Sequence, residues 1–139
     1  MKVDFQNMEA KAVNIQKTTG TISDEKWVVD ASNNGKLQSR GSDAQFNNGT
    51  KITIPVSGKG TITVLSYPNY HNYTVGGKEV DKDTYVYEYD VADAKDATVD
   101  IVATGTSYLY SIEKSEKLSK LLKIIILCFM MKLKMIWKI

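Results

Sequence analysis

Apolar residues recur at every second position through most of the chain. Lys51-Ile-Thr-Ile-Pro-Val56 sets Ile52, Ile54 and Val56 on one side, and Thr61-Ile-Thr-Val64 does the same with Ile62 and Val64. A period of two belongs to a strand with one buried face. The same alternation runs through Val3-Asp-Phe5, Val13 and Ile15, Trp27-Val-Val29, Thr84-Tyr-Val-Tyr-Glu-Tyr89, Val99 with Ile101 and Ala103, and Tyr108-Leu-Tyr-Ser-Ile112. Between these runs stand Gly, Asn, Asp and Ser, the residues that tolerate φ > 0 or cap a turn with a side chain. Asn34-Gly35 and Gly76-Gly77 are examples. Ser57-Gly-Lys-Gly60 separates two alternating runs, so residues 51–64 predict a β-hairpin. Pro55 inside the first run predicts an edge strand or a bulge, because proline has no N–H for a ladder.

The pattern gives roughly nine or ten short strands at the spacing of a sandwich or barrel. Before Ser111 no stretch has a 3.6-residue apolar period. The fold class read from the chain is all-β, a jelly-roll-like antiparallel β-sandwich over residues 1–112. At 139 residues the chain has room for one domain with a sizeable core.

Composition changes abruptly at Glu113. Residues 113–139 carry seven lysines and two acids, whereas the first 112 carry 11 basic and 14 acidic side chains, a balance of −3. The high pI thus belongs to the tail, and the body lacks the basic stripe that phosphate contacts need, which excludes an obvious nucleic-acid binder. The uncharged run Ile124 to Met131 is far short of the ~20 residues that span a bilayer. Three readings of the tail compete: an amphipathic helix on a membrane, a segment docked on the sandwich, or a frameshift or read-through product of AT-rich codons. The sharpness of the break favours the third and makes membrane contact through the tail the weaker expectation.

Catalytic chemistry has little support. The one cysteine, Cys128, lies in the tail, and the one histidine, His71, sits among Tyr and Asn without a nucleophile motif such as G-x-S-x-G. No Cys/His metal cluster can be assembled. Asp81, Asp83, Asp90, Asp93 and Asp96 fall in turn-like sequence, where solvated positions are expected. No cofactor is predicted, and a structural calcium site is left open. The chain shows no charged segment followed by an apolar one at its start, so no signal peptide is predicted.

Binding is better supported. All eight tyrosines fall between Tyr67 and Tyr110. Tyrosine combines a flat apolar ring with a hydroxyl on a stiff side chain, which suits the C–H faces and hydroxyls of sugars. Tyr67, Tyr70 and Tyr73, interleaved with Asn69, His71 and Asn72, form the candidate surface. The competing reading makes Tyr67 and Tyr73 strand-end core residues. Tyr85, Tyr87, Tyr89 and Trp27 read as core or sheet-face residues. For an acidic ligand, Lys36, Arg40 and Lys78 join the candidates, with Lys51 and Lys59 behind them.

Several segments together resemble a known family. Gly35-Lys-Leu-Gln-Ser-Arg-Gly41, Gln45-Phe-Asn-Asn-Gly-Thr-Lys-Ile-Thr-Ile-Pro-Val56, Thr61-Ile-Thr-Val64 and Ala103-Thr-Gly-Thr-Ser-Tyr-Leu-Tyr-Ser-Ile112 are similar to the non-catalytic β-sandwich modules attached to bacterial pectate lyases, pectinesterases and related polysaccharide-degrading enzymes. The resemblance implies a secreted, jelly-roll-like carbohydrate-binding module, carried by a longer enzyme, with pectin or another plant cell-wall polysaccharide as ligand; a monomer is expected. It also implies a last strand continuing past Ile112, where this chain turns to Glu113-Lys114. The alternatives are a ligand-free spacer domain of a cell-surface or secreted protein and, last, a small lyase or esterase.

Overall fold

In the computed structural model, which describes residues 1–117 and 120–137, the alternation becomes two antiparallel sheets packed face to face. Strands are numbered in chain order. One sheet has seven strands: β11 (Thr84–Ala92), β8 (Gly58–Ser66), β13 (Ser107–Lys117), β6 (Ala44–Asn47), β5 (Lys36–Ser39) and β2 (Asn14–Gln16) as neighbours, with β1 (Lys2–Asp4) also on β13. The other has six: β10 (Lys78–Glu79), β9 (Tyr73–Val75), β12 (Thr98–Ala103), β7 (Lys51–Pro55), β4 (Trp27–Asp30) and β3 (Thr19–Ile22). The chain passes repeatedly from one sheet to the other, which gives the all-β, jelly-roll-like sandwich expected from the sequence.

The core is the two inner faces. Phe5, Leu37, Phe46, Ile62, Leu109 and Ile112 of the larger sheet meet Trp27, Val29, Ile52, Ile54, Val75 and Ile101 of the smaller, all of them fully enclosed. Each such side chain contributes about 1.5–3 kcal/mol through burial. Trp27 is therefore a core residue and no stacking platform. Tyr85, Tyr87 and Tyr89 turn inward from β11. The ring of Tyr87 lies over Gly76, at φ 57°, where any Cβ would collide with it.

Three expectations are corrected. The run 51–64 is not a hairpin, because β7 and β8 belong to different sheets and Val56 with Ser57 forms the crossing between them. A period of two fixes which face is buried but not which strand is the neighbour. Next, β7 is an interior strand between β12 and β4. Pro55 is accommodated because pairing with β4 ends at Thr53, so its missing N–H faces no partner there. Finally, the sandwich does not stop at Ile112: β13 runs to Lys117, pairing with β8 as far as Lys59.

Helix α1 (Lys120–Trp137) lies beyond β13, and its side chains from Lys123 to Ile136 are exposed. No helix among the described residues is long and apolar enough to cross a membrane.

Candidate functional site

The loop after β8 is built by local backbone chemistry. Tyr67-Pro-Asn-Tyr70 closes with the Tyr70 N–H donating to the Tyr67 carbonyl at 2.9 Å, and Asn69 takes φ 66°. Proline second and asparagine at positive φ third is the pattern of a type II turn. The turn is anchored on both flanks. The Tyr67 N–H donates to the Tyr108 carbonyl at 2.8 Å, and the Asn69 N–H to Asp83 Oδ1 at 3.0 Å. The Asn72 N–H donates to Ser107 Oγ at 2.7 Å, and its Nδ2 to the Thr106 carbonyl at 2.9 Å.

This anchoring sets two loop tyrosines against two from the outer face of β13. Ring centroids are 5.8 Å apart for Tyr67–Tyr70, 5.1 Å for Tyr70–Tyr108, 6.5 Å for Tyr67–Tyr108 and 6.1 Å for Tyr67–Tyr110. All four pairs are edge-to-face, inclined by 62–77°, the arrangement that aromatic quadrupoles favour. Tyr67 and Tyr70 remain 46% and 44% exposed. Tyr110 shares this face with Tyr108 by alternation, and the β13–β8 register shifts between Leu109 and Ser111 around it.

Arg40 caps the cluster, its guanidinium carbon 4.2 Å from the centre of the Tyr108 ring. The same guanidinium is held bidentately by Asp43, Nε to Oδ1 at 2.7 Å and a terminal nitrogen to Oδ2 at 2.8 Å. The paired carboxylate holds the Arg40 pKa above its ordinary value. Beyond Tyr108, the antiparallel register sets Gln45 of β6, Gln38 of β5 and Asn14 of β2 side by side on the same outer face. Gln38 and Gln16 donate their amides to Asn14 Oδ1 at 3.2 and 2.7 Å.

The residues named from sequence divide. Tyr67, Tyr70 and Arg40 are in the cluster. Asn69 and His71 brace its loop: His71 Nε2 lies 3.5 Å from the same Asp83 carboxylate. Lys36 is on the outer face one row from Gln38, opposite Asn47. Lys78 lies at the edge of the six-stranded sheet, apart from this face. Tyr73 is corrected outright. It is 2% exposed, packs edge-on against Phe46 at 6.2 Å, and shares a 2.9 Å hydrogen bond between its hydroxyl and Ser66 Oγ. Burial pushes its phenol pKa up to about 12. Tyr108, Tyr110, Gln38 and Gln45 were missed as site residues, although Tyr108-Leu-Tyr110 alternates and so presents both rings on one face.

Away from the tyrosines, an open cleft of about 320 Å³ lies between Asp30, Asn33, Asn48 and Lys51. Its carboxylate is already engaged: Asp30 Oδ1 accepts hydrogen bonds from the Ser32 N–H at 3.0 Å and from Thr19 Oγ1 at 3.4 Å, and these donors with the Ser32 hydroxyl hold its pKa low. Among the described residues no three His, Cys, Asp or Glu side chains converge as a metal site requires.

No family model and no curated protein matches the chain. A solved structure, described by the words "The complexity of the Ruminococcus flavefaciens cellulosome reflects an expansion in glycan recognition", is similar over 82% of this chain and 91% of its own, with 14% identity and a TM-score of 0.48. That likeness is too distant to carry a function.

Proposed function

We propose that the sandwich is a non-catalytic carbohydrate-binding module that holds an attached lyase, esterase or hydrolase close to a plant cell-wall polysaccharide outside the cell. The observation that supports this is the group Tyr67, Tyr70, Tyr108 and Tyr110, braced by Arg40 and left open beside a row of amides. Rings inclined to one another by 62–77° do not form the flat platform that a crystalline surface would need, and suit a single chain. Amides supply both donors and acceptors for sugar hydroxyls. Pectin is the ligand favoured by the family resemblance. Affinity from a few such contacts is on the order of micromolar to millimolar, and the module acts as a monomer.

Retention on pectin, xylan and cellulose tests the proposal. Binding to at least one is expected, and its loss in a Tyr67→Ala/Tyr70→Ala variant that still melts cooperatively. Absence of retention on every glycan would replace this function with that of a spacer domain. Release of uronides by the purified protein would overturn the non-catalytic assignment.

A further inference from the structure

The geometry points to an uncharged stretch of a single glycan chain as the ligand, laid across the strands from the Tyr67–Tyr70 loop over Tyr108 to Gln45, Gln38 and Asn14. In pectin this means methyl-esterified rather than free galacturonan. The inference rests on the glycan-binding function above and makes it narrower.

Direction comes from register. Tyr108, Gln45, Gln38 and Asn14 are consecutive cross-strand partners on β13, β6, β5 and β2. With strands about 4.8 Å apart, the row extends roughly 14 Å from the aromatic end, perpendicular to the strands. Within it Asn14 Oδ1 is already used by Gln38 and Gln16, whereas the Gln45 side chain has no hydrogen-bond partner among the described residues and is half-buried beside Tyr108. An amide kept open next to an aromatic ring offers one donor group and one acceptor to a sugar whose C–H face rests on that ring.

Neutrality comes from the charges around the row. A bound carboxylate loses water and needs a cation with free donors in return. Arg40, the cation nearest the rings, gives two of its five N–H donors to Asp43, and that carboxylate already balances its charge. Asp83 beneath the loop and Asp4 on the neighbouring strand add negative charge, the latter accepting from the Gln6 N–H at 3.1 Å and from Asn7 Nδ2 at 2.8 Å. Lys78 is on the other sheet. Lys36 lies one row away and Lys2 of β1 sits beside Asp4, and two scattered lysines do not match a chain with a carboxylate on every residue.

Titration calorimetry with galacturonan oligomers of equal length, methyl-esterified or de-esterified, and with a soluble neutral β-glucan oligomer tests this at low and high salt. The expected result is binding of an uncharged oligomer with little salt dependence, at least tenfold tighter than the de-esterified one. Gln45→Ala and Gln38→Ala should each weaken it about three- to tenfold, the net worth of one hydrogen bond, with melting temperature unchanged. Preference for the de-esterified oligomer, lost in high salt or in Lys36→Ala, would overturn the neutral ligand and leave the glycan-binding function standing. Binding lost in Tyr67→Ala/Tyr70→Ala but untouched by both glutamine variants would overturn the path across the strands. Failure of every oligomer to bind, together with no retention on the polysaccharides, would overturn the function itself.

Discussion

The seven-stranded sheet carries a paired cation at each end, and the two are used in opposite ways. At the loop end Arg40 lies against Tyr108 with its side chain 42% exposed, and the rings beside it stay open to solvent. At the other end Lys114 turns inward from β13. Its Nζ donates to the Pro55 carbonyl at 2.9 Å and lies 3.0 Å from Glu25 Oε1 and 3.5 Å from Glu116 Oε1. Trp27 Nε1 adds a donor to the same Glu25 oxygen at 3.2 Å. Burial pushes the Glu25 carboxyl up, but Lys114 and Trp27 outweigh it and hold the pKa below the usual range. One cation stiffens a surface that stays available; the other closes the ends of strands from both sheets onto each other. Burial of the cation, rather than the presence of an ion pair, separates the proposed binding surface from the structural clasp.

The contrast can be broken by substitution, beginning inside the tyrosine set itself. Tyr73→Ala removes a fully buried ring and should cost about 3–5 kcal/mol in denaturant unfolding. A cost under 1 kcal/mol would mean that Tyr73 is not a core residue. Lys114→Ala leaves Glu25, Glu116 and the Pro55 carbonyl without their donor. A loss of about 2 kcal/mol is expected, below the value for a fully buried pair because both carboxylates reach water. Glycan retention should be unaffected, since the clasp lies away from the tyrosines.

Alkaline titration sharpens the distinction among tyrosines. The Tyr73 phenol ionises near 12 in the folded chain against about 10 when unfolded. Its contribution to stability is therefore complete below pH 10 and is lost as pH rises through 12. Unfolding followed across that window should show the decline in the natural chain and a shallower one in Tyr73→Phe. The smallest stability effect belongs to the exposed rings. Tyr67→Ala and Tyr70→Ala should each change stability by no more than about 0.5 kcal/mol while retention on glycan falls. A large destabilisation would make those rings structural.

Much of the fold was legible because the alternation is a local property. Each apolar run from Val3 to Ile112 named its own buried face, and the sandwich follows from having many such faces to cover. The site was only half legible. Tyr67 and Tyr70 stand out only as members of a tyrosine-rich stretch, and which of its three tyrosines stays exposed depends on where the loop ends and β9 begins. The tail shows the same limit. Its compositional break at Glu113 is real in sequence, yet the sandwich continues to Lys117, where β13 pairs with β8 and Lys114 finds Glu25 and the Pro55 carbonyl from distant segments.

The sequence by itself determined the all-β class and the inward faces of the strands. Those properties depend on neighbours a few positions apart. Tertiary structure alone decided that β7 and β8 part to different sheets, that Tyr73 belongs to the core, and that Arg40 meets Tyr108. It also decided that Gln45, Gln38 and Asn14 stand in one row. Each of these requires residues tens of positions apart to be brought into register, and a pattern of period two carries no record of which strand lies alongside.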